Sequence, residues 1–114
     1  MSESSLYLVF SNPLDGRDAE FEEWYEKVHV PQVVATPGMV SAQRYIVADT
    51  EMSRMAGPPA HRYLVVYEMN EDPDTVMGRV REQVAAGTMT LHEALDIENI
   101  AMSFWNPRGP QVLH

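Results

Sequence analysis

Residues 61–69 read HRYLVVYEM. Aromatic and β-branched side chains fit a pleated, half-buried surface, so this stretch is predicted to be a β-strand. Side chains alternate along a strand, which sends Tyr63, Val65 and Tyr67 to one face and Leu64 and Val66 to the other. Both sets are apolar. An antiparallel sheet with one face in water shows polar residues there, so this strand calls for cover on both sides.

The pattern recurs outward from that stretch. In Leu6-Tyr7-Leu8-Val9-Phe10, Leu6, Leu8 and Phe10 oppose Tyr7 and Val9, and Ser11-Asn12-Pro13 closes the run. Met39 to Asp49 alternates too, with Val40, Ala42, Arg44 and Ile46 against Ser41, Gln43, Tyr45 and Val47. A last strand is predicted from Ile97 to Trp105, stopped by Asn106-Pro107.

Two helical segments separate these strands. Phe21, Trp24, Tyr25 and Val28 fall within an arc of about 100° on a helical wheel, with the charged residues outside it. Asp15 or Asp18 is a candidate cap for this helix, and Pro31 is expected to end it at Val30. Asp72-Pro73-Asp74 opens a second helix, along which Val76, Val80 and Val84 share a face and after which Gly87 can cap. Thr50 to Ala60 has small residues, two prolines and no period, and is read as a loop.

The order is βαββαβ, an α+β, ferredoxin-like fold with two helices on one face of a four-stranded antiparallel sheet. Two helices cover one face only. A second copy of the chain on the other face is the simplest cover, so a homodimer is expected.

Composition narrows the function. The chain has 114 residues, 45% of them hydrophobic and 22% charged, which suits one domain spanning residues 1–114. A formal charge of −9 argues against nucleic acid or an anionic membrane as partner. There is no cysteine, hence no disulfide, thiolate ligand or cysteine nucleophile. The start MSESSLYLVF lacks the marks of a secretion signal, no stretch reaches the roughly 18 apolar residues of a membrane span, and a cytoplasmic location is expected. His29, His61 and His92 are scattered without metal-ligand spacing, and no phosphate loop or serine elbow is present, so no metal or other cofactor is expected.

Phe21…Trp24-Tyr25…His29…Pro31, then Pro37-Gly38…Ser41…Arg44-Tyr45, then a strand ending Tyr67-Glu68, together resemble the dimeric α/β-barrel superfamily and, within it, the EthD-like group. The resemblance spans nearly the whole chain. It implies a ferredoxin-like protomer pairing with a second into an eight-stranded barrel, with a pocket for a small aromatic or polyketide-like molecule between sheet and helices. The superfamily includes cofactor-free monooxygenases, lactone isomerases, polyketide cyclases, heme-handling branches and stress-responsive proteins. Membership of a fold does not choose among these.

His29 is the first candidate for chemistry. It sits at the border of the apolar helix face, and an ordinary imidazole pKa of about 6.5 allows general acid–base work. Glu26 or Tyr25 could orient the ring. From spacing alone, a plain helix-terminal histidine facing the negative end of the helix dipole is the better reading. In the EthD-like group and its methylisomerase relatives a histidine at this position faces the pocket.

Tyr45 and Arg44 must point to opposite faces, and by the resemblance Tyr45 is taken as the pocket-facing hydrogen-bond donor. His61 is the third catalytic candidate, since the related methylisomerases use a second histidine from this region; those enzymes also use a cysteine, which this chain lacks. An exposed residue at a strand start explains His61 as simply. Phe10, Trp24, Tyr25, Tyr67 and Trp105 are candidate pocket walls, although ordinary core packing explains most such side chains. Met52 and Met55, in the aperiodic loop, are candidates for a lid over the pocket.

The expected function is a cofactor-independent enzyme acting on a small aromatic or cyclic metabolite, with His29 as general base. Isomerase, cyclase or lyase chemistry fits, as does a cofactor-free monooxygenase. The alternative is a non-catalytic metabolite-binding or accessory protein of an oxidative pathway. Heme coordination by His29 is a third, weaker reading.

Overall fold

The structure is a computed structural model that describes residues 4–114. Strand β1 (Ser5–Ser11) leads into α1 (Asp18–Trp24), which continues through a π-helical segment (Tyr25–His29) into α2 (Val30–Val34). There follow β2 (Met39–Ile46), α3 (Glu51–Ala56), β3 (Tyr63–Met69), α4 (Pro73–Ala85), a 3-10 turn (Ile97–Asn99) and β4 (Ala101–Trp105). The sheet runs β2-β3-β1-β4 with every neighbouring pair antiparallel, the ferredoxin-like arrangement.

Register assigns each strand residue to a layer. Tyr7 lies opposite Tyr67 on one side and Phe104 on the other, and its ring stacks on both at 5.3 and 5.0 Å. Tyr7, Val9, Ser11, Tyr63, Val65, Tyr67 and Met69 are buried beneath the helical layer. Phe21, Trp24, Tyr25, Val33 and Val76 meet them from above. Burying one such apolar side chain contributes roughly 1.5–3 kcal/mol. The other sheet face carries Leu6, Leu8, Phe10, Leu64 and Val66, all only partly buried, with Trp105 and Tyr45 more than half exposed.

Pro31 does not end the first helix. Val30 keeps helical dihedrals, and its amide donates to the Tyr25 carbonyl five residues back. Proline lacks an amide proton, and in a regular α-helix its ring strikes the carbonyl four residues earlier, here that of Lys27. A widened π turn just before the proline relieves that contact. The helix then runs on to Val34, so His29 lies within the helical run rather than at its negative end, and the helix-dipole reading of this residue is removed.

Other boundaries shift for local reasons. Asp18 does not cap α1: the cap position is Arg17, without a side-chain hydrogen bond, and Asp18 pairs with Arg62 at 3.0 Å. Asp72 does cap α4, accepting from the Thr75 amide at 3.1 Å. Strand β2 stops at Ile46 rather than Asp49, and β4 starts at Ala101 because Ile97–Asn99 coil into the 3-10 turn. Part of the stretch read as a loop is α3, which Thr50 caps through the Ser53 amide and Gly57 ends at φ 90°. No α3 residue is buried, so hydrophobic periodicity had nothing to register there.

Between α4 and β4 the chain packs inward. Met89, Ala94 and Leu95 are buried, and the Leu14 amide donates to the Ala94 carbonyl at 2.7 Å. Around His92 this segment makes a turn, with the Leu95 amide donating to the His92 carbonyl at 3.1 Å. No helix among the described residues is long and apolar enough to cross a membrane.

Candidate functional site

A cavity of about 340 Å³ opens between the sheet and the helical layer. The sheet supplies Tyr7, Val9, Tyr67 and Met102. The first helical run supplies Tyr25, His29 and Val33, and α4 adds Val80 and Val84. The segment before β4 closes it with Met89, Leu91, Leu95, Ile97 and Ile100. Its size lies at the lower end of small-molecule pockets, and a mostly apolar wall with a few convergent polar groups is the usual composition of such sites.

His29 reaches the cavity from the π-helical segment. Its ring lies on the Trp24 indole with centroids 4.5 Å apart, and meets the Tyr25 ring edge-on at 5.3 Å. Burial lowers its pKa to about 4, so the imidazole is neutral at pH 7. Its Nδ1 is buried with no hydrogen-bond partner among the described residues, as is Oε1 of Gln32, one turn onward. Glu26 is exposed and does not orient the ring. Tyr25 touches the ring only through aromatic contact.

The tyrosines supply the remaining polarity. Ser11, almost wholly buried, donates from Oγ to the Tyr25 hydroxyl oxygen at 3.2 Å. That leaves the phenolic proton free for another acceptor. The Arg44 guanidinium stands 5.5 Å above the Tyr25 ring and pairs with Glu22. Burial raises the Tyr25 pKa, while the Ser11 hydrogen bond and the Arg44 charge pull the other way. Tyr67 is pushed far up, chiefly by burial, and Tyr7 is raised to about 12 for the same reason. The Tyr7 hydroxyl donates to Met102 Sδ at 3.2 Å. All three are neutral phenols near neutral pH.

The candidate residues divide between two places. His29, Tyr25 and Tyr67 line the cavity. Trp24 is buried behind His29 and supports it without lining the space. Tyr45 does not face the helices: Arg44 lies opposite Val65 beneath them, so Tyr45, opposite Leu64, belongs to the other sheet face and is about half exposed. The physical reason is the pair that Arg44 makes with Glu22 of α1, which draws the guanidinium to the helical side.

His61 lies with Phe10 and Tyr45 in a separate groove of about 460 Å³. Its Nε2 sits 2.5 Å from the Asn99 carbonyl, to which it donates, and its ring is tilted against Phe10 at 6.0 Å. Trp105 is also on the open face, its Nε1 donating to Ser103 Oγ at 2.8 Å. Met52 and Met55, on α3, are more than two-thirds exposed and line neither space, so α3 is no lid on the cavity that holds His29.

Sequence reading passed over Ser11, Tyr7 and the Leu91–Ile100 wall. Tyr7 was accessible through strand parity with Tyr67. The wall carries no periodic signal, because an irregular segment packs through its own turns. Among the described residues no three His, Asp or Glu side chains converge as metal ligands.

No family model matches the chain, and no curated protein matches it. Solved structures do. An ethyl tert-butyl ether D (EthD) family protein from Bacillus halodurans superposes with a TM-score of 0.61 at 16% identity, covering 96% of this chain and 99% of that one. A protein of Arabidopsis thaliana superposes with a TM-score of 0.64 at 14% identity, covering 95% and 99%. A monooxygenase from the gene ActVA-Orf6 of Streptomyces coelicolor, solved in complex with nanaomycin D, gives a TM-score of 0.51 at 15% identity, covering 99% and 94%. The ferredoxin-like fold of this chain is the fold of these proteins.

Proposed function

We propose that this chain is a small-molecule enzyme that binds an aromatic or cyclic, polyketide-like metabolite in the sheet–helix cavity and moves a proton on it without a cofactor. The observation that carries the reading is His29, a neutral imidazole set in the wall of an otherwise apolar cavity beside three tyrosines. Nδ1 is closed off, so Nε2 is the nitrogen left to face a ligand. In the step, Nε2 takes a proton from carbon next to a carbonyl, and the Tyr25 hydroxyl donates to the oxygen on which charge develops. Return of the proton to another carbon makes an isomerase; attack by the carbanion on a second carbonyl makes a cyclase. Dioxygen meeting the carbanion would instead begin cofactor-free oxygenation. The monooxygenase named among the structural neighbours, with its bound nanaomycin D, supports the aromatic class of ligand.

In this reading the chain is a cytoplasmic homodimer of one domain. Its second copy covers the face made by Leu6, Leu8, Phe10, Leu64 and Val66. Tyr25 takes the donor role first given to Tyr45.

A non-catalytic binder is the second reading, and one observation favours it. A catalytic imidazole is usually oriented through its other nitrogen, whereas His29 Nδ1 has no such partner and a pKa near 4 makes a weak base. Mass spectrometry of a small molecule co-purified with the protein identifies the ligand. His29→Ala then separates the readings: lost turnover with retained ligand affinity supports the enzyme, and the absence of any turnover in the parent protein supports the binder.

A further inference from the structure

The proposed function leaves the charge of the ligand open, and the cavity wall speaks to it. None of its lining residues is Lys, Arg, Asp or Glu. Its one ionisable group besides the tyrosines is His29, which burial holds uncharged at neutral pH. Arg44, over the Tyr25 ring, lies outside the lining and is already paired with Glu22. The chain's charge of −9 adds a repulsive field.

Two neutral hydroxyl donors do not offset the loss of water around a full charge. From this geometry, and resting on the sheet–helix cavity as the ligand site, we propose that the cavity takes its ligand in an uncharged form, a ketone, lactone, ester or phenol, and turns away the carboxylate or other anion of the same skeleton. The exclusion concerns charge that enters the cavity. Asp96 and Glu98, beside the lining residue Ile97 in sequence, and Arg81, after the lining residue Val80, do not themselves line the cavity. A charge left in water outside the cavity is not selected against. Nor does proton transfer inside contradict the exclusion, because an imidazolium–enolate pair leaves the net charge of the cavity unchanged.

N-Phenyl-1-naphthylamine and 8-anilinonaphthalene-1-sulfonate test this directly. They are fluorescent dyes of one skeleton, and the sulfonate of the second sits at its middle, where it cannot stay at the mouth while both rings enter. At pH 7.5 the neutral dye is expected to bind at least about 30-fold more tightly than the sulfonate. Met102→Lys, at a lining position more than half exposed, is expected to narrow that ratio at least about fivefold by supplying a cation. Equal affinities in the parent protein, or a ratio unmoved by Met102→Lys, overturn the charge exclusion. Val84→Trp fills the cavity from an exposed position on α4 and is expected to abolish binding of the neutral dye. Neutral-dye binding that survives Val84→Trp, or its absence from the parent protein, overturns the cavity as the ligand site, a result distinct from failed charge selection.

Discussion

The imidazole of His29 lies nearly flat on the indole of Trp24, with ring centroids 4.5 Å apart and planes 22° apart. The contact keeps His29 out of water and therefore neutral, since a charged ring would lose its hydration against an apolar surface. Burial brings the pKa to about 4 from an ordinary 6.5. The unfolded chain, with its ordinary histidine, takes up a proton as pH falls through 6.5, while the folded chain resists until about pH 4. His29 thus costs no stability above the upper value and progressively more below it, reaching about 3 kcal/mol near pH 4. Urea unfolding at pH 7 and pH 5 is expected to show a smaller pH-dependent loss in His29→Gln than in the parent. Equal losses would place the acid sensitivity elsewhere.

Ser11 and Tyr25 form a buried hydroxyl pair across β1 and the π-helical segment. Ser11→Ala removes the donor and is expected to cost about 1 kcal/mol, and Tyr25→Phe a similar amount through the unpaired Ser11 hydroxyl. The double variant should lose less than the sum of the two, by a coupling of about 1 kcal/mol in denaturant titrations. Full additivity would mean the hydroxyls do not interact.

Gly38 turns the chain between α2 and β2 at φ +97°, and a Cβ built there would stand 2.6 Å from Val76 Cγ2. Val76 is fully buried, so it cannot easily yield. Gly38→Ala combines a left-handed backbone with overpacking and is expected to destabilise by about 2–4 kcal/mol, read as a lowered Tm. An unchanged Tm would count against this turn geometry.

Val66 lies between Leu8 and Gln43 on the open sheet face. If a second copy covers that face, Val66→Glu buries a charge at the interface and is expected to shift sedimentation from dimer to monomer. A parent protein that sediments as a monomer at micromolar concentration removes the dimer altogether.

What the sequence by itself determined is what repeats along the chain. Alternation in 6–10 and 61–69 established two strands apolar on both faces, and the strand–helix order established the ferredoxin-like topology. The same alternation required Arg44 and Tyr45 to diverge, without saying which lay beneath the helices. That was decided by Glu22, distant in sequence, which pairs with Arg44 from α1. Likewise, Pro31 reads locally as a stop, and only the π turn before it keeps His29 inside the helical run. The cavity belongs to tertiary structure for the same reason: Met89, Leu95 and Ile100 line it together with His29 from an aperiodic segment. Burial in the folded chain makes an imidazole with an ordinary sequence context a neutral one, because desolvation depends on what surrounds a group in space.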